Sequence, residues 1–405
     1  MKSSTNRKRW VGGVGLIAAS ALALAGCGGS GAGGGSATEE TAAESGEETT
    51  EAASGDCDPS SMIIGVAMPT QTSERWIADG KAVKEGLEEA GFTVDLQYAN
   101  DDIPTQTQQI DQMITNGANL LVLASIDGTA LSSQLDAAGA AGIPVVSYDR
   151  LIRDNENVDF YVSFDNYLVG VAQGTALLYG LGLVNEDGTP ADNAPADPMN
   201  IELFAGSPDD NNAGFFFQGA MDTIQPFIDE GVLVVKSGQT AFDQVATLRW
   251  SQEAAQKRME DLLSSTYGDG AKLAGVLSPF DGISRGVITA LQGVGMGPTI
   301  SEGLPIVTGQ DAEIASIKLI NEDVQQSTIF KDTRLLAQRS VEVVKDLACG
   351  ADPEANNTED YDNGVKVVPS YLLDVVTIYK DNIQQEIIDS GYWTEEEVAS
   401  GVPAK

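Results

Sequence analysis

Beyond residue 62 the chain alternates short apolar runs with longer stretches that end at glycine, and that alternation admits few folds. Residues 63–68 read as a buried strand, 76–90 as a helix stopped by Gly91, 93–98 as a strand, and 105–116 as a helix stopped by Gly117. A strand at 120–124, a helix at 130–141 before Gly142, a strand at 144–148, an extra strand near 160–165 and a helix to 178 follow. After a polar loop at 185–197 a second series begins, with strands at 201–205, 233–236, 273–277, 305–308 and 327–330 and helices between them. A last helix at 335–347 and a strand at 365–376 close the pattern. Short β-branched strands between glycine-stopped helices predict an α/β fold with parallel, doubly wound sheets. Two similar series of this length predict two lobes rather than one oversized sheet.

Composition removes several classes of function. The 405 residues carry 23 Lys+Arg against 60 Asp+Glu, a formal charge of −37, with no histidine and three cysteines. Neutralising the phosphates of a duplex needs a basic surface, so nucleic acid is not a partner. Without histidine there is no Ser-His-Asp triad, no Cys-His pair and no histidine-containing zinc site. Three cysteines cannot make a four-thiolate site. The acidic loop at 187–197 lacks the spacing of a calcium-binding EF-hand. No metal and no cofactor are expected.

The first 58 residues read as processing and tether rather than fold. Lys2, Arg7, Lys8 and Arg9 form a positive start, and an Ala/Gly/Leu-rich apolar run over 11–26 follows, too short for a comfortable membrane span. It ends in Leu24-Ala25-Gly26-Cys27, which looks like a bacterial lipobox: small residues admit the signal peptidase and the Cys27 thiol takes the lipid. Residues 1–26 are thus expected to be a lipoprotein signal, the alternative being a plain secretory signal with an incidental cysteine. Residues 27–58 hold eight acids and no base among Gly, Ser, Thr and Ala, a composition that cannot offset its ordering entropy and predicts a disordered acidic tether. The implied location is extracytoplasmic, on the outer face of the cell membrane, where disulfides persist. Cys57 precedes the first strand and Cys349 ends a late helix. In a parallel α/β layer, strand starts and helix ends share the edge away from the ligand, so a Cys57–Cys349 bridge is geometrically sensible. Two free thiols are the alternative.

In open α/β sheets ligands bind beyond the carboxyl ends of the strands. The residues there are Glu74-Arg75-Trp76, Ser125-Ile126-Asp127-Gly128 and Asp149-Arg150 in the first series. The second series has 207–212 with Asn212, Arg249-Trp250, Asp281, Asp311 and Lys331. Carboxylates, carboxamides, guanidiniums and indoles at one edge suit a sugar, whose vicinal hydroxyls pair with the polar groups while its C–H face stacks on an indole. Hydrogen bonds to charged groups contribute about 1.5–3 kcal/mol each, and micromolar binding needs about −8 kcal/mol, so four or five of them with a stacking surface suffice. Each residue has a structural reading too. Asp127, Asp281 and Asp311 suit helix N-caps, Asn212 a cap for its helix, Trp76 and Trp250 helix-face core, Arg75 and Arg150 surface ion pairs, and Lys331 a solvated lysine. Their convergence on one edge of both lobes favours a site.

The residues 64–69, Glu74-Arg75-Trp76, 148–152, 207–213, 309–312 and 329–333 resemble those of the multiple-monosaccharide and xylose-binding proteins of bacterial ABC transporters, in the type I periplasmic-binding-protein superfamily. The resemblance spans about residues 62–392. It implies two Rossmann-like lobes with parallel sheets joined by three hinge crossings, expected near 164–166, 331–332 and 367–370. The lobes are then 59–165 and 332–367 for the first, and 166–331 and 368–405 for the second, the last including the tail. It also implies a monomer that holds a pyranose between the lobes and presents it to permease subunits. Arg75, Trp76, Asp127 and Arg150 would bind from the first lobe, and Asn212, Trp250, Asp281, Asp311 and Lys331 from the second. Two departures are a long 185–197 loop and Asp127, where xylose-specific relatives tend to carry Asn; the latter leans toward a broader monosaccharide binder. Two other classes share these features: a sensory receptor on the same fold, and a glycoside hydrolase using Asp281 and Asp311 as acid and base.

Overall fold

The computed structural model describes residues 57–404, so the leader, Cys27 and nearly all of the acidic stretch lie outside the described residues. The first series forms β1 (Ile63–Met68), α1 (Glu74–Glu89), β2 (Thr93–Tyr98), α2 (Ile103–Thr115), β3 (Leu120–Leu123), α3 (Ser132–Ala141), β4 (Val145–Tyr148) and β5 (Phe160–Phe164). The strands are buried along their length apart from β2, which pairs on one side only. That is why β1, β3, β4 and β5 read as unbroken apolar runs rather than alternating ones. Gly142 takes the left-handed conformation that ends α3, with φ 68°.

The chain then crosses to a second body. It comprises α4 (Asn166–Gly180), β6 (Met199–Leu203), α5 (Asn211–Asp229), β7 (Leu233–Val235), a short α6 (Phe242–Val245), α7 (Gln252–Ser265), β8 (Leu273–Leu277), α8 (Asp281–Gly293), β9 (Ile306–Val307), α9 (Ile314–Asn321) and β10 (Thr328–Phe330). α10 (Thr333–Ala348) returns to pack on α1, β4 and β5. The chain ends with β11 (Ser370–Leu373), β12 (Val376–Ile378) and α11 (Glu395–Ser400).

The first sheet has the order β11-β5-β4-β3-β1-β2, and the second β7-β6-β8-β9; every pairing in both is parallel. Each sheet is covered on both faces, by α1 and α10 against α2 and α3 in the first lobe, and by α7 and α8 against α4 and α5 in the second. In each lobe the first strand lies inside its sheet with later strands on either side, which opens a crevice beyond the strand ends.

The third crossing differs from the expectation. No single strand spans 365–376: Val368 bonds back to Tyr361 and Asn363 to Lys366 in a local loop, and β11 starts only after Pro369. β11 is parallel to β5 in the first sheet, whereas β12 is antiparallel to β10 beside the second. The chain therefore changes lobe at Asp374–Val375 rather than near 367–370, and the first lobe's last piece runs on through β11. A run of β-branched residues does not reveal which sheet each half joins.

Cys57 and Cys349 form a disulfide with Cα atoms 5.3 Å apart, tying the approach to β1 to the end of α10. The 185–197 loop is an exposed excursion between α4 and β6, turned by the Asp187 carboxylate accepting from the Thr189 amide at 3.0 Å. Among the described residues, no helix is long and apolar enough to cross a membrane.

Candidate binding cleft

The strand ends of the two lobes face one another across a cavity of about 420 Å³. On the first lobe, the loop after β1 enters α1 so that Arg75 and Trp76 occupy its first turn, both 5% exposed. The Arg75 guanidinium donates to Asp79, one helical turn on, at 3.0 Å, and to Asp149 at the end of β4. Asp79 also accepts from the Tyr148 hydroxyl. Burial works against the Arg75 charge, but Asp149, Asp79 and Asp311 outweigh it and raise its pKa. Burial likewise opposes the Asp149 carboxylate, yet Arg75 and Lys331 hold it below its ordinary value. Asp79 has less compensation: burial pushes it up to about 7 against the pull of Arg75 and Tyr148. The guanidiniums of Arg75 and Arg150 both lie near the Trp76 ring, 4.7 and 5.1 Å from its centre.

The second lobe builds its wall on unusual backbone. Arg249 and Trp250 precede α7 with φ of 57° and 55°. Asp311 and Ala312 follow β9 with φ of 90° and 50°. Side chains disfavour this left-handed region, and such strain collects at functional sites. The Trp250 indole packs edge-on to Phe216 and Phe280 and lies so close to Gly206 that any Cβ there would collide with it. Lys331, 2% exposed at the second crossing, reaches the Asp311 carboxylate at 3.0 Å.

Several contacts join the lobes. Arg75 approaches Asp311 at 3.8 Å, Arg150 pairs with Asp210 at 3.0 Å, and the Ser73 hydroxyl donates to Glu313 at 3.0 Å. Asn212 is a further bridge: its amide donates to the Asp149 carbonyl at 2.7 Å and its oxygen accepts from the Tyr161 hydroxyl at 3.0 Å.

Arg75, Trp76, Arg150, Asn212, Trp250, Asp311 and Lys331 all line this cavity. Two of the expected residues do not. Asp127 faces a separate groove, and its carboxylate is taken by the Thr129 amide and hydroxyl, both at 2.8 Å, in the turn before α3. Its place after β3 is right, but a side chain that short satisfies its own turn first. Asp281 is fully buried behind the wall, accepting from the Glu313 amide and from Gln325, each at 2.9 Å. Burial, with the neighbouring charge of Glu313, pushes its carboxyl up to about 8. Asp281 and Asp311 therefore do not form an acid–base pair across a shared cavity.

Asp149, Asp209, Asp210 and Arg249 belong to the wall as well and were not singled out from sequence. The available signal is position: Asp149 and Arg249 adjoin Arg150 and Trp250, while Asp209 and Asp210 lie in the same 207–212 run as Asn212. Every base in the cavity has an acid beside it, including Arg249 with Asp209 at 3.1 Å and Arg285 with Glu313 at 2.6 Å. Among the described residues, no cluster of three or more His, Cys, Asp or Glu is arranged to hold a metal.

The periplasmic binding protein domain family matches residues 64–352. The multiple sugar-binding periplasmic receptor ChvE of Rhizobium radiobacter is 52% identical over 335 residues, covering 83% of this chain and 92% of the relative. The D-xylose-binding periplasmic protein of Escherichia coli is 35% identical over the same shares of the two chains. Among solved structures, an ABC transporter solute binding protein of Clostridium phytofermentans with bound β-D-glucose superposes with a TM-score of 0.77 at 45% identity, over 83% of this chain and 99% of that one. A carbohydrate transporter solute binding protein of Chloroflexus aurantiacus in complex with D-glucose gives 0.72 at 33% identity, over 82% and 97%.

Proposed function

We propose a function from a plain premise: the chain belongs to the periplasmic binding protein family, with the type I fold. It is a receptor for neutral aldopyranoses such as glucose, galactose, xylose and arabinose. It captures them between its lobes and delivers them to the permease of an ABC sugar transporter, without chemistry. The observation that carries this reading is the internal pairing of charge in the cavity. Arg75, Arg150, Arg249, Arg285 and Lys331 each already face a carboxylate. With Asp101 and Glu253 also on the wall, carboxylates outnumber bases, so the site has no net cation to offer an anion, yet it presents charged donors and acceptors suited to hydroxyl groups.

In this reading Arg75, Asp149 and Arg150 bind hydroxyls from the first lobe, and Asn212, Asp311 and Lys331 from the second. Trp76 and Trp250 supply apolar surface for the C–H faces. The relatives named for sugar binding, and the glucose-bound structural neighbours, support this class of ligand. Cys27 carries a lipid, residues 27–58 form the tether, and the folded body stands on the outer face of the membrane as a monomer. Isothermal calorimetry with D-glucose, D-galactose, D-xylose and L-arabinose tests the ligand class, expecting one site of micromolar affinity for at least one of them. Membrane fractionation of Cys27→Ser tests the anchor, expecting release of the protein.

A further inference from the structure

Asp311 and Ala312 are two consecutive non-glycine residues in the left-handed region, an arrangement their own side chains oppose. What holds them there is spread over three distant parts of the sequence. From the start of α8, Asp281 grips both flanks: its amide donates to the Gln310 carbonyl at 3.0 Å, and its carboxylate accepts from the Glu313 amide at 2.9 Å. From β10, the Ile329 carbonyl takes the Asp311 amide at 2.8 Å and the Thr328 hydroxyl takes the Ala312 amide at 3.1 Å. From the C-terminal segment, the Trp393 indole N–H donates to the Ala312 carbonyl at 3.0 Å. That indole is fixed in turn by Tyr392, which packs edge-to-face against both it and Phe330, the latter beside the second crossing.

We propose that Asp281 and Trp393 are positioning residues for ligand binding: they clamp the left-handed Asp311–Ala312 backbone so that the Asp311 carboxylate stays aimed into the cavity. Neither lines the cavity itself. If the clamp is removed, Ala312 relaxes toward negative φ, and that rotation carries the Asp311 carboxylate away from Lys331 and Arg75, 3.0 and 3.8 Å distant. Trp393 is thus a remote determinant of affinity, and the C-terminal segment is part of the binding apparatus rather than a tail.

The affinity part of this inference rests on the sugar reading, so the experiment has an arm that needs no sugar. Trp393→Phe keeps an aromatic ring and deletes only the N–H. It is expected to raise the Kd for D-glucose about tenfold, the effect of losing one positioning hydrogen bond, with the thermal midpoint of the sugar-free protein nearly unchanged. Adding Ala312→Gly, which accepts the left-handed backbone without a clamp, is expected to restore most of the lost affinity; a purely structural role for Trp393 gives no such rescue. Asp281→Ala is expected to weaken binding further than Asp281→Asn, which keeps an acceptor for the Glu313 amide.

In sugar-free protein, Trp393→Phe is expected to speed amide hydrogen exchange at 311–313. Unchanged exchange there in folded Trp393→Phe protein overturns the clamp, whatever sugars do. If the wild-type chain binds no aldose, the sugar reading falls while exchange still decides the clamp. If Trp393→Phe binds D-glucose as the wild type does, the positioning role is refuted.

Discussion

The two walls of the cleft present similar chemistry on largely different kinds of support. Among the first wall's binding groups, Asp149 alone shares the left-handed backbone, at φ 60°, that recurs in the second. The first lobe places Arg75 and Trp76 on the opening turn of a regular helix, and fixes the guanidinium with Asp79 and Asp149, both buried. The second lobe presents Trp250 and Asp311 on left-handed backbone held by contacts from other segments. One wall is rigid because its charges lock one another; the other because its surroundings override local preference. The first therefore couples binding to global stability, since its groups are also core. The second couples binding to local order, so substitutions there can lower affinity while sparing the fold.

The largest effect is expected at Arg75. Arg75→Ala leaves Asp79 and Asp149 buried without their cation and removes a partner of Asp311; breaking a buried pair from one side costs about 3–5 kcal/mol. Urea denaturation should register that loss, and glucose binding should vanish from calorimetry. A stable Arg75→Ala protein would break the comparison, because the first wall would then not be core. Asp311→Ala comes next, with affinity at least about tenfold weaker, as loss of one charge-assisted contact implies, and a smaller change in denaturation midpoint than Arg75→Ala. It strands one buried charge, Lys331, where Arg75→Ala strands two, Asp79 and Asp149. Equal stability losses at the two positions would erase the distinction between the walls.

A pH measurement sharpens it further. Asp281, facing Glu313, Arg285, Gln325 and Thr328, has a folded-state pKa of about 8 against 3.8 for an ordinary aspartate. Between those values the folded state keeps a proton that the unfolded state releases, so its contribution to stability is full below pH 3.8 and declines as pH rises toward 8. Asp281→Asn, which cannot titrate, should flatten that decline in denaturation midpoints measured across the range; an identical slope in both proteins counts against the buried neutral carboxyl. The smallest effect is expected at Asp127. Asp127→Ala removes a turn acceptor worth about 1 kcal/mol and should leave sugar affinity unchanged in the same titration. A tenfold loss there would return Asp127 to the site.

Much of this was legible in the chain because it is written locally. Strand runs, glycine stops and the Arg75, Trp76, Arg150 and Lys331 positions follow from periodicity and from the rule that strand ends face the ligand. What was not legible depends on direction and partnership. Asp127 and Asp281 occupy strand ends like Asp311, yet one bends back on its own turn and the other points behind the wall. Asp149 and Asp210 looked like accompaniments of their neighbours, and only the fold shows them closing ion pairs with Arg75 and Arg150. The third crossing was misplaced because reading 365–376 as one strand passes over Pro369 and Asp374, which interrupt it, and β11 and β12 belong to different sheets. Trp393 carries no local sign of a role, since its partner carbonyl is 81 residues away.

The central claim is that both walls close on one neutral sugar, and the most direct test is a calorimetric titration of the wild-type chain and Asp311→Ala with D-glucose, D-galactose, D-xylose and L-arabinose. The account predicts one-to-one binding of at least one aldose at micromolar affinity, weakened at least about tenfold by the substitution. No heat with any of the four, or binding that Asp311→Ala leaves untouched, would contradict it.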